Sequence, residues 1–486
     1  MPTMLPRHPA RARPGPTRLA AVLLVAAACL VPPSWAAEPA LPAAVAAALQ
    51  RAKVPASALS VVLAEAGSAR PLLAHNELAR VNPASLAKLV TTFAALDRLG
   101  PAWHWETPVW LDGPVRDGVL DGNLVLRGSG DPSLVLERVW LLLRRVQQAG
   151  VQTIRGDIVL DSSAFAPPTG QPGDFDGEAL RPYNVQPEAL LLNYKSSVYG
   201  FVPDKADGVA RVRVTPALAG ADVARSVPLA DGPCDDWRAR LQASFGPDGR
   251  VRFAGRYPAA CGEQDWPVAD PQPGNYNARL LAGLWQEMGG RLGGQVREGK
   301  APDRPPTFTQ TSPDLAQVVR DINKFSNNLM AQQLFLTLAA QADPGVPATP
   351  EAARAVLRVW LQGRLGDAAE AVQMDNGAGL SRETRLTASA LAQLLQQAWR
   401  SPVMPELMAS LPVSGLDGTL RRARVTPGRA HLKTGSLRDV QGVAGYLLGD
   451  DGRRYVLVAL INHASARDAQ PALEALVQWA LDGAPR

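Results

Sequence analysis

Apolar residues recur along this chain in two rhythms, and the two ends of the chain share them. The runs Leu59 to Glu65 and Pro71 to His75 read as strands. Behind Ser85, the positions Leu86, Leu89, Val90, Phe93, Ala94 and Leu96 have the spacing of an amphipathic helix. Far downstream, Leu329, Met330, Leu334 and Phe335 predict a helix behind Ser326. Arg429 to Ser436 starts like a strand, and Val440 to Leu448 and Tyr455 to Asn462 read as two strands joined by Gly449-Asp-Asp-Gly452. Ala469 to Leu481 reads as a closing helix. We expect residues 37–108 and 308–486 to form one discontinuous α/β unit, an antiparallel sheet flanked by helices.

Between these ends, over 109–307, strand-like runs alternate with Gly/Pro-rich turns at Leu120 to Arg127, Gly156 to Leu160, Val209 to Val214 and Val251 to Phe253. A structureless loop of this length inside a compact domain would be exceptional, so the segment is expected to form two inserted β-rich lobes. Pro302 to Pro306 is expected to be the return linker.

The first residues change the reading of charge. Arg7, Arg11, Arg13 and Arg18 precede an apolar stretch, Leu19 to Val31, that is too short to span a bilayer, and Ser34-Trp35-Ala36 fits a small-x-small cleavage site. Residues 1–36 are read as a secretory signal, which implies a periplasmic protein. Without those four arginines the net charge of +5 becomes +1, so the basic balance gives no reason to expect nucleic acid. Cys29 sits in a weak match to a lipoprotein cleavage box that lacks its leucine. No amphipathic anchor follows Leu481, so membrane association is expected to be peripheral at most. Cys234 and Cys261 are then the mature cysteines, and an exported chain makes a disulfide between them the expectation, against two buried thiols. His75, His104, His431 and His463 are scattered singly, which disfavours a zinc site; no metal or cofactor is expected.

Three short strings carry the chemistry: Ser85-Leu-Ala-Lys88, Ser326-Asn-Asn328 and Lys433-Thr-Gly435. On a helix, Ser85 and Lys88 at i and i+3 share a face. A serine hydroxyl is inert at neutral pH until a base takes its proton, and a lysine serves as that base only when burial or a neighbouring cation lowers its pKa. Lys433 is a candidate for that cation, placed on a sheet edge beside the pocket. Each string also has a bland reading: Ser85 and Ser326 as helix N-caps, Lys88 as solvated, Lys433 as an ordinary strand residue. Composition weighs against three such accidents. Only seven of the 50 basic residues are lysine, so the chain uses arginine almost wherever charge suffices, and lysine is the one of the two that can be deprotonated.

The strings resemble the SxxK, SxN and K[ST]G motifs of the penicillin-binding proteins and serine β-lactamases. Their wide separation resembles one branch, the D-alanyl-D-alanine carboxypeptidase/endopeptidase family of the penicillin-binding protein 4 type. So do Gly128-Ser-Gly-Asp-Pro-Ser133, Tyr183-Asn-Val-Gln-Pro187, Asp375-Asn-Gly-Ala-Gly-Leu-Ser-Arg382 and Leu416-Asp-Gly-Thr419. The resemblance implies a transpeptidase-type fold, hydrolysis of D-Ala-D-Ala and cross-link bonds in peptidoglycan stem peptides, covalent binding of β-lactam antibiotics, and possible homo-oligomers. It implies roles for Ser85 as nucleophile, Lys88 as base, Ser326 as proton relay and Asn328 as a positioning group. Lys433 and Thr434 would hold the terminal carboxylate, with Gly435 beside them and the N–H of Ser436 in the oxyanion hole. By the same resemblance, Asp161, Phe165 and Arg382 would shape the pocket for the stem peptide's diamino-acid side chain. Arg438 stands where better-known relatives carry glutamine.

Two other classes share these residues. A serine β-lactamase or esterase needs a route to rapid deacylation; Glu188-Ala-Leu-Leu-Leu-Asn193 resembles such a motif but is one residue too long and out of order, and is read as core helix or strand. A non-catalytic peptidoglycan-binding scaffold would not need the intact motifs. Gly128-Ser-Gly-Asp131 is read as a turn and not as a phosphate loop.

Overall fold

A computed structural model describes residues 41–246 and 248–483. The expected leader, with Cys29, lies outside the described residues. The two ends of the chain build a five-stranded antiparallel sheet in the order Pro71–His75, Leu59–Glu65, Arg454–Asn462, Val440–Leu448, Ala430–Leu437. The central strand is a continuous apolar run that divides by side-chain alternation. Tyr455, Leu457, Ala459 and Ile461 face a core covered by Ala43–Arg51 and Gln470–Leu481, while Val456, Val458 and Leu460 face a second core. Helices cover both faces, so every position of the run is buried.

The second core is organised around the helix Ala87–Leu99, which the short 3₁₀ turn Ala84–Leu86 leads into. The sequence suggests an amphipathic helix, but every residue from Ala87 to Leu96 is buried. Its polar stripe, Lys88, Thr91 and Thr92, is turned inward. Thr91 donates to the Gly377 carbonyl at 2.7 Å and Thr92 to the Lys88 carbonyl at 2.7 Å. Such a helix is buried all round because Leu315–Phe325, Asn328–Ala342, Pro350–Leu365 and Ala388–Trp399 pack into the same core.

The insertion is one lobe nested inside another. The outer lobe has a sheet ordered Val296–Glu298, Ile158–Asp161, Asn123–Arg127, Glu106–Asp112, Phe308–Thr311, backed by helices Leu136–Gln148 and Pro273–Glu287. Glu106–Asp112 straddles the expected limit at 109, and Phe308–Thr311 lies just beyond the one at 307. Trp105 N–H donates to Ser312 Oγ at 2.9 Å and Ser312 N–H to the Trp105 carbonyl at 3.0 Å, which closes the neck. The Pro302 to Pro306 segment is accordingly part of the lobe, held by Trp110 Nε1 donating to the Arg304 carbonyl at 2.9 Å. The inner lobe, between Ser196 and Ala269, pairs Ser196–Asp204 with Val209–Thr215 and Gln264–Ala269 around an aromatic core of Tyr199, Phe201, Trp237, Phe253 and Tyr257.

Cys234 and Cys261 are joined by a disulfide with a Cα–Cα distance of 4.8 Å, and both thiol positions pack against that aromatic core. Closing a loop with a sequence separation of 27 stabilises by about 3–4 kcal/mol in the chain-entropy model. Cys234→Ala/Cys261→Ala should therefore lower the denaturant midpoint of the inner lobe, followed by tryptophan fluorescence. An unchanged midpoint would show that the aromatic core alone sets the lobe's stability.

Candidate active site

Ser85 sits in the 3₁₀ turn before the central helix, and neither that turn nor the helix start has a side-chain cap. Its hydroxyl is thus not spent on capping. The turn is clamped from behind: Asn82 Oδ1 accepts from Ala84 N–H at 2.8 Å, Asn82 Nδ2 donates to the Ser381 carbonyl at 2.9 Å, and Asn462 Oδ1 accepts from Asn82 N–H at 3.0 Å.

Lys88 is fully buried. Its Nζ lies 2.9 Å from Ser85 Oγ, 2.6 Å from Asn328 Oδ1 and 2.7 Å from the Ala378 carbonyl oxygen. None of these partners is a carboxylate. Burial pushes its pKa well below the ordinary lysine value, and the Lys433 charge pushes the same way. A neutral amine has two N–H donors and one lone pair. The two carbonyl-type oxygens take the donors, so the lone pair is left for the Ser85 proton.

Ser326 is not an N-cap either. It ends the helix Leu315–Phe325 in the left-handed conformation, φ 56° and ψ 38°, and Asn327 caps the next helix by accepting from Met330 N–H at 3.1 Å. Holding a serine there costs on the order of 1–3 kcal/mol; the corner turns Ser326 and Asn328 into the same space. Lys433, on the edge strand, is fully buried and donates to Ser326 Oγ at 2.8 Å and to the Thr434 carbonyl at 2.7 Å. Burial brings its pKa down to about 7. Gly435 is required by contact: a Cβ there would lie 2.7 Å from the Pro83 carbonyl oxygen, so glycine is what lets this strand lie against the Ser85 turn.

A cleft of about 1490 Å³ opens over these groups, lined by Ser85, Ser326, Asn328 and Ser436 from the α/β unit. Arg382 and the exposed Arg438 line it too. Arg382 pairs with Asp439 at 3.2 Å and stacks over the Phe175 ring at 4.8 Å. Asp161 and Phe165 do not line it. Both are about 3% exposed; Asp161 accepts from the N–H groups of Ser163 and Ala301, and Phe165 pairs with Ala348. The insertion reaches the cleft instead through Phe175, Asp176 and Tyr183. Burial opposes ionisation of Asp176, but bonds from Glu178 N–H, Asn184 and Tyr183 outweigh it and hold the carboxyl below its usual range. These residues lie in a Gly/Pro-rich stretch without periodicity, where no register distinguishes one acid or aromatic from another. The Ala378 carbonyl, a backbone group, left no signal beyond the glycines around it.

Glu188 does not face the nucleophile. Its carboxylate pairs with Lys195 at 2.6 Å and accepts from Asn277 at 2.9 Å, in a buried turn that is neither helix nor strand. Gly128 to Asp131 likewise lies in a loop. Among the described residues no cluster of His, Cys, Asp or Glu is arranged to hold a metal ion, and no helix is long and apolar enough to cross a membrane.

The model of the D-Ala-D-Ala carboxypeptidase 3 (S13) family matches residues 41–482. The chain is 27% identical over 449 residues to the D-alanyl-D-alanine carboxypeptidase of Actinomadura sp. strain R39, covering 85% of this chain and 79% of the relative. It is 25% identical over 397 residues to D-alanyl-D-alanine carboxypeptidase DacB of Haemophilus influenzae, covering 80% and 81%. Among solved structures, penicillin-binding protein 4 of Haemophilus influenzae superposes with a TM-score of 0.73 at 22% identity, over 90% of this chain and 99% of that one.

Because backbone cannot yield as a flexible side chain can, Gly435→Ala should push the edge strand off the Ser85 turn. A misplacement of about 1 Å can cost about 10²-fold in rate. The expected loss is in the rate of Ser85 acylation by a labelled penicillin, with the melting temperature nearly unchanged; an unaffected rate would show that the close approach does not matter.

Proposed function

The chain belongs to the D-Ala-D-Ala carboxypeptidase 3 (S13) family, and from that premise we propose that it is a serine D,D-peptidase of peptidoglycan acting through an acyl-enzyme on Ser85. The observation that carries the reading is the set of partners at Lys88: a buried amine 2.6–2.9 Å from two carbonyl-type oxygens and the Ser85 hydroxyl, with no carboxylate among them, so that in its neutral form the lone pair is left for the serine proton. Ser85 Oγ attacks the carbonyl carbon of the penultimate D-alanine while Lys88 takes its proton. The N–H groups of Ser85 and Ser436 stabilise the oxyanion. Ser326 passes a proton to the departing nitrogen as the C–N bond breaks, and is reprotonated from the lysine pair. The net transfer is the Ser85 proton to the leaving amine. Water then attacks the ester, with Lys88 again as base, and frees Ser85.

Lys433 in its charged form, with Thr434 and Ser436, holds the carboxylate beside the scissile bond. That carboxylate is present both on a terminal D-alanine and on the D-centre of a cross-linking diamino acid, so one site serves carboxypeptidase and endopeptidase cleavage. The cleft exceeds the roughly 300–1,000 Å³ of small-molecule sites, which favours a branched or cross-linked peptide. Arg382, Arg438, Asp176 and Tyr183, which line the cleft, would contact its side chain. A β-lactam keeps its leaving amine attached to the acyl group, so it excludes water and leaves Ser85 acylated. The disulfide and the basic, then apolar, N-terminus support action in the periplasm.

Labelled penicillin should map to Ser85, and incubation with purified muropeptides should release D-alanine and cleave cross-links by mass spectrometry; an adduct elsewhere, or intact muropeptides, would reject the reading. Lys88→Arg keeps charge but cannot become neutral, so acylation should fall by about 10²–10⁴. Lys433→Arg should lose less.

The pH profile separates the two lysines further. Lys88 must be neutral and Lys433 charged, so kcat/KM on a D-Ala-D-Ala peptide should decline as pH rises through about 7, where Lys433 loses its proton. Lys433→Arg should carry that decline to higher pH. A decline at the same pH in both proteins would assign it to another group.

A further inference from the structure

Thr434, the hydroxyl that the peptidase reading gives to the substrate carboxylate, is held by a residue outside the three motifs. Thr419 Oγ1 lies 2.8 Å from Thr434 Oγ1. A hydroxyl has one proton, and a carboxylate only accepts. Thr434 can bind a carboxylate only with its own proton directed to it, and the 2.8 Å contact must then carry the proton of Thr419. We propose that Thr419 is a positioning residue for carboxylate recognition: it donates to Thr434 and so commits the Thr434 proton to the substrate. The inference deepens the peptidase reading and rests on it.

The loop carrying Thr419 is built for such a task. Asp417 Oδ2 accepts from Lys324 Nζ at 2.5 Å and Oδ1 from Val413 N–H at 2.8 Å. Burial opposes ionisation of Asp417, but these bonds outweigh it and keep the carboxyl below its usual range. Lys324 is itself only 4% exposed. Gly418 has φ +54°, and a Cβ there would lie 2.6 Å from the Lys324 carbonyl oxygen, so the loop packs directly on the backbone two residues before Ser326. A closed ring results: Ser326 to Lys433, Thr434, Thr419, Asp417, Lys324 and back along the chain to Ser326. The Ser326 corner and the Thr434 hydroxyl are therefore fixed relative to each other by two routes. Ser436 is served in the same way from the neighbouring strand, where Gln441 Nε2 donates to its Oγ at 2.7 Å and leaves the Ser436 proton free.

The test compares acylation of Ser85 by a β-lactam bearing a free carboxylate with acylation by its methyl ester, in the parent, Thr419→Val, Thr419→Ala and Thr419→Ser, with melting temperatures checked. The parent should prefer the acid. Losing one hydrogen bond to a charged acceptor should lower the acid-over-ester rate ratio by about 10-fold in Thr419→Val and Thr419→Ala, with the ester rate unchanged and Thr419→Ser restoring the ratio. An unchanged ratio, or equal loss on both compounds, overturns the inference and leaves the peptidase reading standing. A parent acylated without preference for the acid does the same. A parent that is not acylated overturns the peptidase reading itself and the inference with it.

Discussion

Two lysine amines are buried in one site without a carboxylate to balance either, and the rest of the active region is arranged around that cost. Lys88 meets a hydroxyl, an amide oxygen and a backbone carbonyl, while Lys433 meets a hydroxyl and its neighbour's carbonyl. Desolvation strongly disfavours the charged amine unless polar groups replace water, and each partner here does so without removing the amine's basicity. A carboxylate next to Lys88 would hold it protonated and useless as a base. On the proposed mechanism Lys88 therefore needs partners that accept without carrying full charge, and its three partners are of that kind.

Meeting it demands close backbone contact. The Ala378 carbonyl reaches Lys88 because Gly379, at φ +77°, lies where any Cβ would meet the Ala84 carbonyl oxygen at 1.9 Å. Asn376 Oδ1 fixes that loop by accepting from the N–H groups of Ala378 and Gly379, both at 3.1 Å. With Gly435 on the other side, the Ser85 turn is gripped between a loop and a strand. Of the three oxygens around Lys88 Nζ, those of Ser85 and Asn328 are on side chains and the third is the Ala378 backbone carbonyl, which the loop pinned at Gly379 holds in place.

The insertion contributes nothing to this chemistry and much to what reaches it. Its outer lobe returns through a neck at Trp105 and Ser312, and its loop at Phe175 to Tyr183 forms the far wall of the cleft. Arg382 links the walls by pairing with Asp439 while stacking on Phe175. The far wall of the cleft is thus built of loops on a rigid frame, apart from the lysine pair.

The three motif strings and the strands of the five-stranded sheet are legible in the residues alone. Short apolar runs bounded by turn residues placed Leu59–Glu65, Val440–Leu448 and Tyr455–Asn462, and the three motif strings, with lysine so rare elsewhere, singled out Lys88 and Lys433. These signals are local: an apolar run between turns, a three-residue spacing, a choice between two cations. Even the helix Leu136–Gln148 left such a mark, with Val139, Leu142, Leu143 and Val146 on one face, though the surrounding strand-like runs hid it. Long-range packing is what buries the helix behind Ser85 all round, makes Asn327 and not Ser326 the cap of its helix, brings Ala378 to Lys88 and Thr419 to Thr434, and turns Asp176, not Asp161, to the cleft. Each of those depends on which distant segments meet, and a backbone carbonyl or an aperiodic loop has no side-chain pattern from which its partner can be read.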